Sequence, residues 1–255
     1  MITDIIKMFL IPFFGTVIGA ACVFFVGKAR NPIFEKAMNG FAAGVMIASS
    51  VWSLIMPSLE LSQGGILPVF LPAAIGLWVG IIFFFTLDKI LEKFKISSPA
   101  KPQSGYLLTL LAIIIHNFPE GMALGVMCAA WLAGEPLISF AGIITLAVGI
   151  GIQNLPEGSI ISVPLYVGGK SRLRAFWVGV ISAVAETVGS VLMIIAAPLV
   201  IPILPYMMCF AAGAMIYVVI SELCPEISEG RYTDLATLMF GVGFSVMMIL
   251  DVALG

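Results

Sequence analysis

The sequence predicts an all-α membrane protein of eight spanning helices, and three observations carry that reading. Of its 255 residues 61% are hydrophobic and 10% charged, with a mean hydropathy of +1.15; soluble domains carry about 25% charged residues. Apolar stretches long enough to cross a hydrocarbon core about 30 Å thick recur eight times along the chain. No alternating pattern of strands accompanies them, so the backbone polar groups in lipid must be satisfied inside helices.

The stretches span residues 8–26, 40–59, 67–91, 106–132, 137–166, 173–197, 203–223 and 235–254, separated by short polar or Pro/Gly-marked breaks. The first follows Lys7, the only early cation, and no A-x-A site comes after it. It therefore reads as a spanning helix rather than a removed leader. All 12 Lys and Arg residues except Lys7 fall after odd-numbered helices. Lys28, Arg30 and Lys36 follow the first; Lys89, Lys93, Lys95 and Lys101 the third; Lys170, Arg172 and Arg174 the fifth; and Arg231 the seventh. The positive-inside rule makes that side cytoplasmic, with both termini outside the cytoplasm. Residues 1–255 read as one polytopic domain in a cell membrane, with lipid as its surroundings. The net charge of −2 says nothing about partners, but the sequence has no basic patch suited to a nucleic acid. Cys22, Cys128, Cys209 and Cys224 form no CxxC pair and read as small apolar residues within helices.

Ionisable groups inside a membrane are costly and mark function. Near the middles of their segments stand His116 and Glu120 in helix four, Glu157 in helix five and Glu186 in helix six. Glu222 lies nearer the inner end of helix seven, while Asp88, Glu60 and Asp251 sit close to helix ends and read as solvated. Three of the central groups belong to a duplicated motif. Helix four reads His116-Asn117-Phe118-Pro119-Glu120-Gly121 and helix five Gln153-Asn154-Leu155-Pro156-Glu157-Gly158. The two helices run in opposite directions, so the copies can face each other about an in-plane pseudo-twofold axis, where transporters place their sites.

The spacing suits a cation. His116 and Glu120 are four residues apart, hence on one helix face, and Gln153 and Glu157 repeat that geometry. Asn117 and Asn154 precede each glutamate by three, and Glu186 adds a third carboxylate. Pro119 and Pro156 leave the carbonyls of Ile115 and Ile152 without their usual donors. The kinks, with Gly121 and Gly158 behind them, are expected to open room for an ion. Imidazole, carboxylate and amide oxygen make a mixed site for Zn2+, also admitting Fe2+, Mn2+, Co2+ or Cd2+ as transported substrate rather than catalytic cofactor. A membrane metalloenzyme or metal sensor using the same glutamates is the second reading, but no nucleophile or soluble mouth is evident. A proton or monovalent-cation pathway is the third.

Those paired motifs resemble the ZIP (Zrt/Irt-like protein) family, in particular its GufA-like prokaryotic branch, and the resemblance covers the whole chain. It implies a 3+2+3 arrangement, with the first and last three helices as inverted repeats around the proline-broken helices four and five. It also implies metal movement towards the cytoplasm, by an elevator-like sliding of helices one, four, five and six against the others. A binuclear centre follows from the same resemblance: one metal on His116, Glu120, Gln153 and Glu157, a second on Asn117, Asn154, Glu186 and the shared glutamates. Met46, in Gly44-Val45-Met46-Ile47-Ala48, matches a family segment whose methionine touches the first metal. The sequence departs from many relatives in having Gln153 for a histidine, Ser221 before Glu222, and no histidine in the loop at residues 96–103. Exclusive zinc selectivity is therefore not expected, and a homodimer stands as an open assembly.

Overall fold

The computed structural model describes the backbone of residues 2–27, 32–93 and 106–254 and the side chains of 3–27, 32–90, 93 and 117–254. Among them every regular element is helical. Eight long helices account for the described chain: α1 (Ile2–Ala21), α2 (Pro32–Leu61), α3 (Phe70–Lys93), α4 (Tyr106–Leu132), α5 (Phe140–Val167), α6 (Arg172–Ile195), α7 (Ala197–Ser228) and α8 (Thr233–Leu254). Seven of them, all but α4, are long and apolar enough to cross a membrane as judged on described residues.

Each helix has its local reasons. Ser139 and Ser171 cap α5 and α6, their hydroxyls accepting from the Gly142 N–H at 2.8 Å and the Arg174 N–H at 3.3 Å. Gly134 and Gly169, at φ +80° and +96°, turn the chain after α4 and α5 in a conformation that a Cβ would strain. Both α4 and α5 remain single helices through Pro119, and through Pro156 and Pro164, so no interruption marks these prolines. Irregularity falls elsewhere: α2 widens to a π turn at Ser50–Ile55 ahead of Pro57, and α7 does so at Val219–Leu223 ahead of Pro225. The α7 span is thus longer than the sequence pattern implies, starting with a short turn at Ala197–Val200.

The helices associate as four close parallel pairs: α1 with α5, α2 with α8, α3 with α7 and α4 with α6. Each pair uses a Gly-x-x-x-Gly stripe. Gly15 and Gly19 lie against the backbone of Gly151 and Leu155, and Gly40 and Gly44 against Ala236 and Phe240. Gly76 and Gly80 lie against Tyr206 and Phe210, and Gly121 and Gly125 against Glu186 and Ser190. The approach is reciprocal, since Gly158, Gly243, Gly213 and Gly189 admit carbonyls of Thr16, Phe41, Leu77 and Phe118. Without a hydrophobic drive between helices in lipid, such small-residue seams supply the packing. Large apolar side chains turn outward instead, among them Phe14, Trp78, Ile82, Leu238 and Ile249, each more than half exposed.

Contacts between helix ends keep the basic residues together. Arg172 Nη2 donates to the Val26 carbonyl at 3.1 Å, joining the start of α6 to the end of α1. Lys36 Nζ donates to the carbonyls of Glu226, Ile227 and Glu229, closing the start of α2 onto the end of α7, where Asn39 also donates to the Glu226 carboxylate. Lys28, Arg30, Lys95 and Lys101 lie outside the described residues, as does the loop at 96–103.

Candidate metal site

Four motif residues and Glu186 converge where α4, α5 and α6 meet, with α1 behind them. Gln153 Nε2 donates to Glu120 Oε1 at 2.8 Å, bridging α5 to α4. One residue on, Asn154 Nδ2 donates to Glu186 Oε2 at 2.7 Å and to the Pro12 carbonyl at 3.2 Å, bridging α5 to α6 and α1. Glu157 lies close enough to both Glu120 and Glu186 for their charges to interact. Asn117, Glu120, Gln153, Asn154 and Glu186 are buried; Glu157 is half-buried.

The site leaves its oxygens free. Glu120 Oε2, Gln153 Oε1, Asn154 Oδ1 and Glu186 Oε1 are buried with no hydrogen-bond partner among the described residues, and Asn117 Nδ2 is in the same state. An orphaned buried polar atom costs about 1–3 kcal/mol, so four oxygens in one place would be expensive unless an ion uses them. Oxygen-rich and part carboxylate, the set fits a divalent cation. Among the described residues no three His, Cys, Asp or Glu side chains form a cage by themselves. The amides are interleaved with the acids, each NH2 group donating to one carboxylate.

His116 stands in α4 one turn before Glu120, but its side chain lies outside the described residues. Met46 is buried in the apolar core with Met8, Ala123 and Ile150, its carbonyl accepting from Ser49 and Ser50. The motif glycines do not open space for an ion. A Cβ on Gly121 would run into the Glu186 carbonyl, and one on Gly158 into the Thr16 carbonyl and Ala20 N. They bring α6 and α1 in rather than making a void. Ser190 strengthens the first approach, its hydroxyl donating to the Gly121 carbonyl at 2.9 Å. Neither Ser190 nor the Pro12 carbonyl was expected at the site. The Ser182-x-x-x-Glu186-x-x-x-Ser190 spacing could have pointed to the first; only the fold reveals the second.

The chain as a whole has relatives among known proteins. The family model described as ZIP Zinc transporter matches residues 98–251, more than half of the chain. The chain belongs to the ZIP family. It is 33% identical to "Zinc transporter ZIP11" of Homo sapiens, with 94% of each chain covered. It is 32% identical to "Zinc transporter GufA" of Myxococcus xanthus over 85% of each. With "Zinc transporter ZIPB" of Bordetella bronchiseptica it shares 34% identity over 89% of this chain and 74% of the relative. Membership of the ZIP family and the set of spanning helices make this a multi-pass membrane protein and a transporter rather than an enzyme.

Proposed function

We propose that this ZIP-family chain carries divalent metal ions, zinc first among them, towards the cytoplasm through the carboxyl–amide site of α4, α5 and α6. The observation that carries it is the set of four unpartnered buried oxygens on Glu120, Gln153, Asn154 and Glu186. A first ion would use His116, Glu120, Gln153 and Glu157, with Met46 at its edge. A second would use Asn117, Asn154 and Glu186 with the shared glutamates. Carbonyls of Ile115 and Ile152, freed by Pro119 and Pro156, add oxygen near them. Two carboxylates offset the charge of one divalent ion, which lowers the main barrier to crossing a bilayer. Fe2+, Mn2+, Co2+ and Cd2+ are admitted by the same donors.

The inverted-repeat reading has support in the pairing. Exchanging α1 with α6, α2 with α7, α3 with α8 and α4 with α5 maps the four close pairs onto one another. The π turns of α2 and α7 exchange as well. So do Asp88 and Asp251, which accept from Tyr217 at 2.9 Å and Ser53 at 2.7 Å. Inward release is supported by a difference between the two ends of the site. On the side away from the basic residues, Met8, Leu54, Leu124, Cys128, Leu146, Ile150 and Met208 close one dry core. Glu157, by contrast, is only half-buried. On this reading the outer path is shut by that core, and α1, α4, α5 and α6 would slide together to open it.

Zinc uptake into vesicles loaded with a zinc-sensitive dye tests the reading. Glu120→Ala should abolish uptake while leaving the folded protein in the membrane, and transport at the parent rate would remove this site from consideration.

A further inference from the structure

Helices α1 and α6 touch closely over only part of their length. Towards the basic end the facing residues are small, and a Cβ on Gly179 would stand 2.4 Å from the Ala20 Cβ. Towards the other end they grow. There Phe9, Leu10 and Phe13 of α1 and Val184, Val188 and Val191 of α6 line a cavity of about 430 Å³. Spacings of three and four put each set on one helix face. Leu10, Val184 and Val188 stay more than two-fifths exposed although the helices are neighbours, so the groove opens sideways, away from the bundle.

The groove offers nothing to an ion or to water. Its one polar side chain, Thr187, returns its hydroxyl to the Ala183 carbonyl at 3.0 Å and has no proton left to donate. From Val184 to Leu192 the groove runs about 12 Å at 1.5 Å per residue, close to the roughly 15 Å of one leaflet's hydrocarbon. A helix about 10 Å across would need roughly twice the volume over that length; an extended hydrocarbon chain would not. Lys7 stands at the far mouth, next to Ile6 and three residues before Leu10. Its side chain is 68% exposed, with Asp4 Oδ1 3.8 Å from Nζ. The sequence places every other Lys and Arg at the opposite end, so this cation stands against the charge bias of its own protein. An ammonium has three donors, and those that Asp4 leaves are free for a phosphate.

We propose that the α1–α6 groove holds one acyl chain of a glycerophospholipid whose phosphate sits on Lys7. Dispersion contacts with both helices hold the chain, and the ammonium selects the headgroup. Occupancy does not depend on what the protein carries, but it bears on the metal site from behind. Phe13 follows Pro12, whose carbonyl accepts from Asn154, and Thr187 follows Glu186, which accepts from the same amide. A chain lodged between those neighbours keeps α1 and α6 at one spacing.

Photo-labelling of the full chain in phosphatidylcholine vesicles tests this, with a phosphatidylcholine carrying a diazirine midway along one acyl chain. The comparison surface is the outward face of α3 at Trp78 and Ile82, which is exposed and outside the groove. Adducts on residues 6–13 and 184–192 should exceed those on α3 by about fivefold, a site preference of roughly 1 kcal/mol. Val188→Trp fills the groove and should bring them down to the α3 level. Lys7→Gln, at an exposed position, should lower labelling by the phospholipid severalfold but leave labelling by a diacylglycerol of the same chain unchanged. Groove and α3 labelled alike in the parent would mean ordinary surrounding lipid and overturn the site, as would labelling indifferent to Val188→Trp. Ready disulfide formation between copies carrying Val188→Cys would make the occupant a second copy and overturn it too. If Val188→Trp folds poorly, Lys7→Gln decides: a loss shared equally by the two probes, or shown by neither, overturns the phosphate contact.

Discussion

Gly121→Ala is the sharpest perturbation this fold offers, because a single methyl group meets backbone. The added Cβ would stand 2.8 Å from the Glu186 carbonyl carbon, 3.1 Å from Ser190 N, and nearer still to the Glu186 oxygen. Carbon atoms are comfortable at about 3.5–4.0 Å, so α6 must retreat from α4 by about 1 Å. No flexible side chain can absorb the shift, since both partners are backbone atoms of packed helices. Overpacking of this kind costs about 1–3 kcal/mol. The retreat also carries Glu186 away from Glu120, and a misplacement of about 1 Å at a working site can cost about 10²-fold in rate. We expect a lower melting temperature in detergent and zinc uptake near 1% of the parent, a fall of about 10²-fold. Gly241→Ala is the control, as its Cβ would meet nothing within 4 Å. If Gly121→Ala transported and melted like Gly241→Ala, the close α4–α6 seam would not be what positions Glu186.

Two further outcomes follow. Lys36→Met removes the cation that donates to the carbonyls of Glu226, Ile227 and Glu229 at the end of α7; a helix-end cation contributes about 0.3–1 kcal/mol. Thermal melting should fall by a few degrees at roughly 2–4 °C per kcal/mol, with saturated uptake within about twofold of the parent; an unchanged melt would show the contact to be idle. Gln153→His exchanges the amide beside Glu120 for imidazole. Competition between zinc and manganese for uptake should then shift several-fold towards zinc, about 1 kcal/mol in relative affinity, and a ratio equal to the parent's would place Gln153 outside the ion's first shell.

Much of this was readable from residues alone, and the limits are physical. Spacing of four places His116 with Glu120 and Gln153 with Glu157 on shared faces. Glu120, Gln153, Asn154 and Glu186 do meet, because few polar groups lie mid-helix and each must find company out of lipid. Spacing does not say which neighbour a face meets. Glycine is the clearest case: a missing side chain can mean a void or a contact, and nothing local separates the two. Gly121 and Gly158 were expected to make space, yet both are filled by the backbone of another helix. The π turns at Ser50–Ile55 and Val219–Leu223 were equally hidden. Pro57 and Pro225 hint at irregularity, but a proline also sits within α4 and α5 without interrupting either.

Backbone-to-backbone seams carry a mechanical consequence. Where two helices touch through glycine, there is no layer of side chains to change rotamer and let one slide past the other. Each Gly-x-x-x-Gly pair therefore behaves as a single stiff rib, and the bundle has at most four separable parts rather than eight. The ribs α1/α5 and α4/α6 are pinned to each other by the Asn154–Glu186 hydrogen bond, which leaves them one unit. The proposed sliding motion would then run along the seams where those two ribs meet α2/α8 and α3/α7, so cross-links within a rib should be silent and cross-links between these groups should stop transport.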